Sequence, residues 1–358
     1  MTRTITLSLD QFYRPQPGGI ATYFRGLVRG LASLDDDSFR VLGVAPRGAI
    51  PDSVAALELT RVTTAPLGVL HRVWSRWPLG VPAQSDVVHA TSLTGPFAGG
   101  RSGAVHSVAL FDLLWRDEPA SSTPRGIRFH ERRLRLLKAR GDVRLFCASP
   151  GLGSRLRAEG FAPERLHDVR LGVDDETVPA DELAVAAALD ARGVRGPFTL
   201  YVGTREPRKN LERLVAAHAL ARAENDALGP LVLVGPSGWG EVDVADAVVL
   251  GPVARPLLKG LYRDATVVAY VPRAEGWGLP PVEALAQGTR VVASSNTPSV
   301  TANDEVVRVD PLDVEDIAGG LLAALLVPTD EPARARRRAS VTELTWRNVA
   351  LDHLAGWR

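Results

Sequence analysis

Two acidic residues, Glu275 and Glu283, lie eight positions apart and flank a turn that contains glycine. Glycines such as Gly276 and Gly278 let backbone N–H groups approach a ligand closely, and N–H groups at the start of a helix bind phosphate. A carboxylate accepts hydrogen bonds from the vicinal hydroxyls of a sugar. The pattern therefore predicts a nucleotide-sugar site, with the sugar at Glu275, the diphosphate on the turn and the ribose at Glu283.

This turn lies between two short apolar runs, Val267–Val271 and Arg290–Ala293, which are typical of buried parallel strands. A short helix, roughly Pro280–Gln287, is expected after the turn, because proline suits a first helical turn and Gly288 suits a helix end. The turn would then lie at the carboxyl end of the first strand. Ligands of open parallel sheets bind at such ends.

Residues 263–294 resemble the donor-site signature of family 4 of the retaining glycosyltransferases, P-S-x-x-E-G-F-G-L-P-x-x-E-A-x-A-x-G-x-P-V-V-A-S. Trp277 takes the place of the usual aromatic residue, Arg273 that of serine and Arg290 that of proline. The resemblance implies an α/β protein of the GT-B fold, with two Rossmann-like domains and an interdomain cleft. It also implies a set of functional residues. Glu275 would be catalytic, and the donor would be bound by Gly276, Trp277, Gly278, Leu279 and Glu283.

A basic loop follows a second predicted strand, Phe198–Val202, and precedes a helix for which Asn210 is a suitable cap. The loop carries Arg205, Arg208 and Lys209. Cations at this place would make charge-assisted hydrogen bonds to a diphosphate. They would also stabilise the charge that the leaving diphosphate gains during transfer.

The same loop resembles the family segment V-G-T-L-E-P-R-K-N, in which Lys209 matches outright. Many relatives place an arginine directly after the glycine, where this sequence has Thr204. The resemblance therefore implies that Arg205 or Arg208 serves the phosphates in its place. Relatives read the nucleobase with backbone groups near Val253, which makes that residue a candidate base contact.

The first half of the chain contains a glycine pair, Gly18 and Gly19, between a predicted strand, Ile5–Leu9, and a predicted helix, Ile20–Leu34. With Tyr23 it resembles the family segment G-G-I/V-x-x-Y. The resemblance implies that the backbone of the two glycines meets the donor diphosphate across the cleft. The chain has no G-x-G-x-x-G pattern, which argues against a dinucleotide oxidoreductase.

The clearest departure from the family follows the predicted strand Val105–Leu110. Relatives commonly have His-Asp there, with the histidine beside the transferred sugar, whereas this chain has Phe111 and Asp112. Asp112 keeps its place as a catalytic-site residue that could bond an acceptor hydroxyl or the sugar. His106 or His89 could replace the imidazole. Alternatively, the donor is a 6-deoxy sugar such as dTDP-rhamnose, and Phe111 faces the methyl group of that sugar. A hydroxymethyl group would be disfavoured there, because burying an unpaired hydroxyl costs about 1–3 kcal/mol.

Residues 125–144 form a basic stretch with interleaved apolar residues. Two interpretations remain open: a solvated helix that packs on one side, or a helix that lies on an anionic membrane surface. The second interpretation would suit a lipid-linked acceptor.

At 358 residues the chain is long enough for two domains. We expect an acceptor-side domain over 1–174, a linker over 175–197 and a nucleotide-sugar domain over 198–345, with a final helix over 346–358 that crosses back to the first domain. The net charge of +1 gives no reason to expect nucleic acid as a partner.

The amino terminus lacks the long apolar segment of a signal peptide, and no apolar run reaches the ~20 residues of a membrane span. The single cysteine, Cys147, fits a reducing compartment and is expected to be a buried structural thiol. A cytoplasmic protein is therefore expected, either free or bound peripherally to the inner face of the membrane. No Asp-x-Asp pair lies near the site, so neither a metal nor a cofactor is expected.

These observations favour a retaining, metal-independent hexosyltransferase that moves a sugar from a nucleotide diphosphate to a hydroxyl of a glycan, a lipid-linked acceptor or a small molecule. Polysaccharide or glycolipid biosynthesis is the expected context. Two alternatives remain: a sugar-nucleotide-binding protein with impaired catalysis, which the Phe111 departure suggests, and a GT-B sugar-nucleotide epimerase. A phosphorylase would need a lysine that binds pyridoxal phosphate, and nothing in the sequence marks Lys138, Lys209 or Lys259 as such a lysine.

Overall fold

The computed structural model describes residues 2–14, 18–49, 57, 59–74, 76–173, 180–240, 242–244 and 246–358. The chain forms two compact units. The first consists of Met1–Gly172 together with Leu344–Arg358, and the second is Val173–Glu343.

The first unit contains a seven-stranded parallel sheet in the order β3-β2-β1-β4-β5-β6-β7. Its strands are β1 (Arg3–Ser8), β2 (Phe39–Ala45), β3 (Leu59–Val62), β4 (Val87–Ala90), β5 (Val105–Leu110), β6 (Val143–Cys147) and β7 (Leu166–Asp168). The helices between them are α1 (Gly18–Ala32), α2 (Leu67–Val73), α3 (Leu114–Asp117), α4 (Pro124–Ala139) and α5 (Pro150–Ala158).

The second unit contains a six-stranded parallel sheet in the order β10-β9-β8-β11-β12-β13. Its strands are β8 (Thr199–Val202), β9 (Leu231–Val234), β10 (Val248–Gly251), β11 (Val267–Tyr270), β12 (Val291–Ser294) and β13 (Val306–Val309). Its helices are α6 (Glu182–Asp190), α7 (Leu211–Glu224), α8 (Arg255–Asp264), α9 (Leu279–Ala286), α10 (Val314–Leu326) and α11 (Glu331–Ala339). This strand order is that of a doubly wound Rossmann sheet.

The prediction of two Rossmann-like units is confirmed, since each sheet is parallel and helices form several of the connections between its strands. The short apolar runs become central strands buried on both faces, as β11 and β12 show. In each sheet the strand order reverses at one point, between β1 and β4 in the first unit and between β8 and β11 in the second. Ligands bind at such switch points, outside the carboxyl ends of the strands.

Two stretches differ from the elements expected from sequence. The region expected to be a linker, 175–197, contains α6, and its first residues lie outside the described part of the chain. The basic stretch 125–144 is helical only as far as Ala139, because β6 begins at Val143. Among the described helices, none combines the length and the apolar character that crossing a bilayer requires.

The last helix, α12 (Trp346–Gly356), belongs to the first unit and packs on α1. Two glycines of α1 permit this approach. A Cβ atom added at Gly26 would lie 2.1 Å from the Trp346 ring, and one added at Gly30 would lie 2.0 Å from the Trp346 carbonyl oxygen. The backbones of the two helices can therefore meet only because these positions lack side chains.

Buried hydrogen bonds join α12 to the sheet. His353 Nδ1 donates to the Val349 carbonyl oxygen at 2.7 Å, which leaves His353 Nε2 as an acceptor for the Tyr23 hydroxyl, also at 2.7 Å. The Tyr23 oxygen in turn accepts from His89 Nε2 at 2.8 Å. Both histidines are fully buried and must be neutral for this chain of bonds to form.

The chain of bonds continues to the end of α12. His89 Nδ1 accepts from the Ser107 hydroxyl at 2.9 Å, and Ser107 accepts from the Trp357 indole N–H at 2.9 Å. Every donor therefore has one acceptor, as buried polar groups require. These bonds fix the tautomers of both histidines and attach the carboxyl terminus to β4 and β5.

Candidate active site

At the switch point of the second unit, the loops after β8 and β11 bring together a lysine and a carboxylate. Lys209 Nζ donates to Glu275 Oε2 at 2.5 Å and to the Tyr270 hydroxyl at 2.7 Å. Tyr270 itself donates to Glu275 Oε2 at 2.5 Å. Of the three protons on the Lys209 ammonium, described residues thus take two. The other carboxylate oxygen, Oε1, accepts from the Gly276 N–H at 3.1 Å.

Arg208 connects this pair to the rest of the basic loop. Its Nη1 donates to the Ala274 carbonyl oxygen at 3.0 Å and to Glu275 Oε2 at 3.3 Å, while its Nη2 pairs with Glu206 at 2.6 Å. Two acids and two bases therefore alternate around the cluster. Arg208 positions the Glu275 turn through both its backbone and its side chain.

The cluster keeps its charges although it is almost entirely buried. Burial raises the pKa of Glu275, but the charges of Lys209 and Arg208 outweigh burial and hold that pKa well below its usual value. Burial lowers the pKa of Lys209, and Glu275 opposes this effect. A carboxylate that is held ionised accepts hydrogen bonds strongly.

The glycine turn leads directly into α9. Gly278 has φ of 95°, which favours glycine, and a Cβ atom there would lie 2.6 Å from Thr297 Cγ2. The first turn of α9 contains Pro280 and Pro281, which carry no N–H. Because of these prolines, this helix start has fewer anion-binding N–H groups than most. The Trp277 side chain is buried, which leaves the backbone of the turn as the part that could contact a ligand.

Glu283 lies inside α9 and is held from α8. Its Oε2 accepts from the Tyr262 hydroxyl at 2.7 Å, and its Oε1 accepts from Arg255 Nη1 at 3.1 Å. Tyr262 is 3% exposed, whereas the Arg255 side chain is 38% exposed. Val253 lies between β10 and α8, two residues before Arg255.

Two polar residues of the basic loop have structural contacts. Arg205 Nη1 donates to the Gly235 carbonyl oxygen at 3.1 Å, and its Nη2 bonds Ser237. Asn210 stands at the N-cap position of α7, as expected, but its side chain makes no capping hydrogen bond. It has φ of 63°, and its amide donates to the carbonyl oxygens of Val271 and Pro311. Asn210 instead joins the segments that follow β11 and β13.

The first unit has a cavity of about 180 Å³ at its own switch point. The side chains that surround it come from the ends of β1, β4 and β5 and from α3 and α4. Its lining includes Gln11, Arg14, Ser92, Thr94, Phe111, Asp112, Trp115, Ser122 and His130. The cavity combines hydroxyl, amide and carboxylate groups with aromatic walls, which is the composition expected for a site that binds a polyhydroxyl ligand.

A buried acid organises the polar wall of this cavity. Asp10 accepts hydrogen bonds from Ser8, Gln11, Thr94 and His71. Burial raises its pKa, but His71 and these hydrogen bonds outweigh burial, so the pKa lies below its usual value. Asp10 thus fixes the side chains of Gln11 and Thr94 where they line the cavity.

His130, rather than His89 or His106, is the histidine that lines the cavity. Its ring stacks on Trp115 with centroids 4.9 Å apart, and its Nδ1 donates to the Gly126 carbonyl oxygen at 2.9 Å. Burial lowers the pKa of His130, so the neutral ring presents Nε2 as an acceptor. His89 is buried under α12, and His106 bonds the Gly99 carbonyl oxygen at 2.9 Å.

Comparison with known protein families identifies part of the chain. Residues 196–326 match the family described as glycosyl transferases group 1. This segment is a group 1 glycosyl transferase domain. It contains the Lys209–Glu275 cluster, the glycine turn and Glu283.

Curated relatives of the glycosyl transferase domain include two bacterial enzymes. The O-antigen chain mannosyltransferase B of Escherichia coli is 31% identical over 218 residues, which cover 57% of each chain. The D-inositol 3-phosphate glycosyltransferase 1 of Catenulispora acidiphila is 29% identical over 335 residues, which cover 81% of this chain and 73% of that enzyme. The chain thus spans a little over half the length of the E. coli relative.

A solved structure shows the same fold over the whole chain. HepE of Anabaena, crystallised with UDP and glucose, has a TM-score of 0.68 and 14% identity, and the match covers 99% of this chain and 98% of that one. Such neighbours have the GT-B fold, which is also the fold of this protein.

The residues proposed from sequence fall into two groups. Arg205, Arg208, Lys209, Val253, Gly276, Trp277, Gly278, Leu279, Glu275 and Glu283 lie in the second unit. Gly18 and Gly19 begin α1 in the first unit, and Asp112 lies on the cavity there. Cys147 is buried, and burial raises its pKa to about 12, as suits a structural thiol.

Sequence reasoning missed several residues that contact the predicted donor-site residues. Tyr270 was counted among the apolar residues of a strand, although its hydroxyl contacts both Lys209 and Glu275. The sequence analysis assigned no role to Tyr262 or Arg255. Their seven-residue spacing, which places both on one helix face, was the available clue.

Proposed function

We propose that the protein is a retaining, metal-independent glycosyltransferase that transfers a sugar from a nucleotide diphosphate to an acceptor hydroxyl. The observation that carries the proposal is the buried Lys209–Glu275 cluster at a switch point, beside a glycine turn that leads into the helix of Glu283. The match to group 1 glycosyl transferases supports it. The expected donor site is in the second unit, and the expected acceptor site is the cavity of the first.

The geometry suggests a role for each donor-site group. Glu275 Oε2 is occupied by Lys209, Tyr270 and Arg208, so Oε1 is the oxygen that would accept from a sugar hydroxyl. The third proton of Lys209 and the N–H groups of the glycine turn would bind the diphosphate, with Arg205 as a further candidate. Backbone groups at Val253 would contact the base, and Gly18 and Gly19 would contribute N–H groups to the diphosphate.

In the proposed reaction, the bond between the anomeric carbon and the diphosphate oxygen breaks as the acceptor oxygen bonds that carbon on the same face. The acceptor proton passes to the departing phosphate oxygen. The diphosphate gains negative charge in this step, and Lys209 stabilises that charge more in the transition state than before it. In the first unit, Asp112 and His130 Nε2 would accept hydrogen bonds from acceptor hydroxyls.

We also propose a 6-deoxy sugar as the transferred group. The family resemblance puts residue 111 beside the transferred sugar, at the edge of the acceptor site. Phe111 lines the cavity expected to hold the acceptor, and its ring packs edge-on against Tyr23 with centroids 5.1 Å apart. The phenylalanine side chain itself offers no hydrogen bond to a hydroxymethyl group. A methyl group would avoid the cost of about 1–3 kcal/mol for burying an unpaired hydroxyl.

A donor screen tests both proposals. UDP-, GDP- and dTDP-sugars, including GDP-mannose, UDP-glucose and 6-deoxy sugars, would be added to the full chain and binding measured by thermal shift. We expect at least one donor to bind, and Glu283→Ala to weaken its binding by about tenfold or more, since a hydrogen bond to a charged group contributes about 1.5–3 kcal/mol. Mass analysis with candidate acceptors should then show a glycoside.

The outcomes of the screen separate the alternatives. Failure of every donor to bind would overturn the proposed function. Binding without transfer would support the catalytically impaired protein, and a new sugar nucleotide formed without acceptor would indicate an epimerase. Clear preference for GDP-mannose or UDP-glucose would overturn the 6-deoxy proposal alone.

Membrane contact through α4 remains part of the proposal, with a more defined surface. Its exposed basic residues repeat every three or four positions, at Arg125, Arg128, Arg132, Arg135 and Lys138, so they share one helix face. Arg133 points the other way and is buried. His71 of α2 contacts Phe129 of α4, with ring centroids 6.4 Å apart. The segment that follows α2 exposes two large apolar side chains, Trp77 at 64% and Leu79 at 46%.

We expect the protein to float with vesicles that contain anionic lipid and to remain unbound with neutral ones. Each basic residue near an anionic surface contributes roughly 1 kcal/mol. Replacing Arg125, Arg128, Arg132 and Arg135 by glutamine should therefore reduce binding by at least about tenfold. The control has the same charge change in the second unit, at Arg192, Arg195, Arg222 and Arg336. Equal loss in both variants, or no dependence on lipid charge, would leave α4 as a solvated helix.

A further inference from the structure

We propose that Tyr262 and Arg255 of α8 are positioning residues that orient Glu283 to recognise the ribose of a ribonucleoside diphosphate. This inference rests on the proposed function, because it assumes that Glu283 meets a nucleotide. It adds two residues to the site and defines the nucleotide class.

The two α8 residues hold the carboxylate of Glu283 by both oxygens. Tyr262 donates to Oε2 at 2.7 Å and Arg255 Nη1 donates to Oε1 at 3.1 Å. An ionised carboxylate has about four lone-pair sites, two on each oxygen. Among the residues that the structure describes, these two donors occupy one site on each oxygen and leave one site on each. Two acceptor sites on adjacent oxygens match the two vicinal hydroxyls of a ribose.

The rigidity of this clamp comes from its surroundings. Tyr262 is 3% exposed, and its backbone carbonyl accepts from the Thr289 hydroxyl at 2.6 Å. Glu283 is itself only 12% exposed. A carboxylate held at both oxygens cannot rotate to suit a ligand. It should therefore discriminate strongly against a sugar that lacks one of the two hydroxyls.

The position of Arg255 gives a second argument. It begins α8 two residues after Val253, the candidate base contact, and its side chain is 38% exposed. Arg255 thus lies between the segment expected at the base and the acid expected at the ribose. A 2′-deoxy donor would keep only the 3′ hydroxyl contact. The clamp consequently favours a 6-deoxy sugar carried on a ribonucleotide over one carried on thymidine.

The test measures dissociation constants by calorimetry for UDP, GDP and ADP and for their 2′-deoxy and 3′-deoxy counterparts. For the tightest ribonucleotide, the wild type should prefer the ribose form by about tenfold to a hundredfold, the range for a hydrogen bond to a charged acceptor. Tyr262→Phe and Arg255→Lys should each reduce this preference by about three- to tenfold. The ratio is insensitive to loss of folded protein, because both nucleotides bind the same folded fraction.

Matched controls make the same changes at residues that donate no described hydrogen bond to Glu283. Tyr201→Phe removes a buried hydroxyl that bonds the Thr204 carbonyl oxygen, and Arg263→Lys changes another arginine of α8. Neither should alter the ribose preference. The inference would be overturned if the wild type showed no ribose preference, or if Tyr262→Phe and Arg255→Lys kept that preference in full. In either case, binding of a nucleoside diphosphate would still support the proposed function. If no nucleoside diphosphate bound at all, the proposed function itself would fail.

Discussion

Replacing Lys209 by alanine should reduce turnover by about 30-fold to 1,000-fold, equivalent to about 2–4 kcal/mol of lost transition-state stabilisation. The reason is the charge that develops on the departing diphosphate. The start of α9 has two prolines without N–H groups, so the proposed diphosphate site is expected to depend more strongly on the lysine. Release of the nucleoside diphosphate, followed for the donor that the screen identifies, would measure the effect.

Lys209 also holds Glu275 in place. Comparing the change in turnover with the change in donor binding separates this positioning role from the stabilisation of charge on the diphosphate. Loss of charge stabilisation should lower turnover more than it weakens donor binding, because the developing charge exists only in the transition state. Lys259→Ala, which removes a lysine from α8 in the same unit, is the control and should keep wild-type turnover. Turnover of Lys209→Ala within about threefold of wild type would contradict the assignment of this lysine to the diphosphate.

Acidification should destabilise the first unit through His353 and His89. Burial lowers the pKa of His353 to about 4 from 6.5, and burial together with the nearby His353 lowers the pKa of His89 well below its usual value. Between about pH 6.5 and pH 4 the unfolded chain binds protons that the folded chain does not. The contribution of these histidines to the free energy of unfolding is therefore complete above about pH 6.5 and is lost as the pH falls towards 4. The His353 shift alone corresponds to about 3 kcal/mol.

Urea unfolding at several pH values would measure this loss, and hydrogen exchange of the α12 amides at equal pH would locate it. His353→Gln should be less stable at neutral pH but show a pH dependence flatter by about 3 kcal/mol over that window. His218, whose pKa burial also lowers to about 4, lies in the second unit. His218→Gln should leave the pH dependence of α12 exchange unchanged. An unchanged pH dependence in His353→Gln would show that protonation of His353 is not what destabilises the first unit in acid.

The donor site shows how far local sequence could lead. Glu275 and Glu283 lie within one strand–loop–helix segment, so their places at the strand end and inside α9 follow from hydrophobic pattern, glycine and proline alone. The partners of these acids do not. Lys209 is 66 residues from Glu275 in sequence, and the two meet because β8 and β11 are neighbours in the sheet. The apolar runs of those strands do not specify which strands pair.

Asn210 and Arg133 illustrate the same limit in single residues. An asparagine before a helix predicts a cap, yet Asn210 bonds carbonyl oxygens at the ends of other elements. An arginine in a basic helix predicts a solvated side chain, yet Arg133 is buried and donates to the carbonyl oxygens of Leu93 and Gly95. In both cases a tertiary contact outweighs the local preference, because a buried carbonyl without a donor costs more than a surface contact gains.

The sequence by itself determined the two Rossmann-like units, the strand ends that carry the acids and the basic loop, since each of these follows from residues close together in the chain. The tertiary structure alone decided which groups share a site: Tyr270 with Lys209, Tyr262 and Arg255 with Glu283, and His130 with Phe111 and Asp112. The physical reason is that hydrophobic periodicity encodes which face of an element is buried. Strand order and helix packing then decide what that face meets.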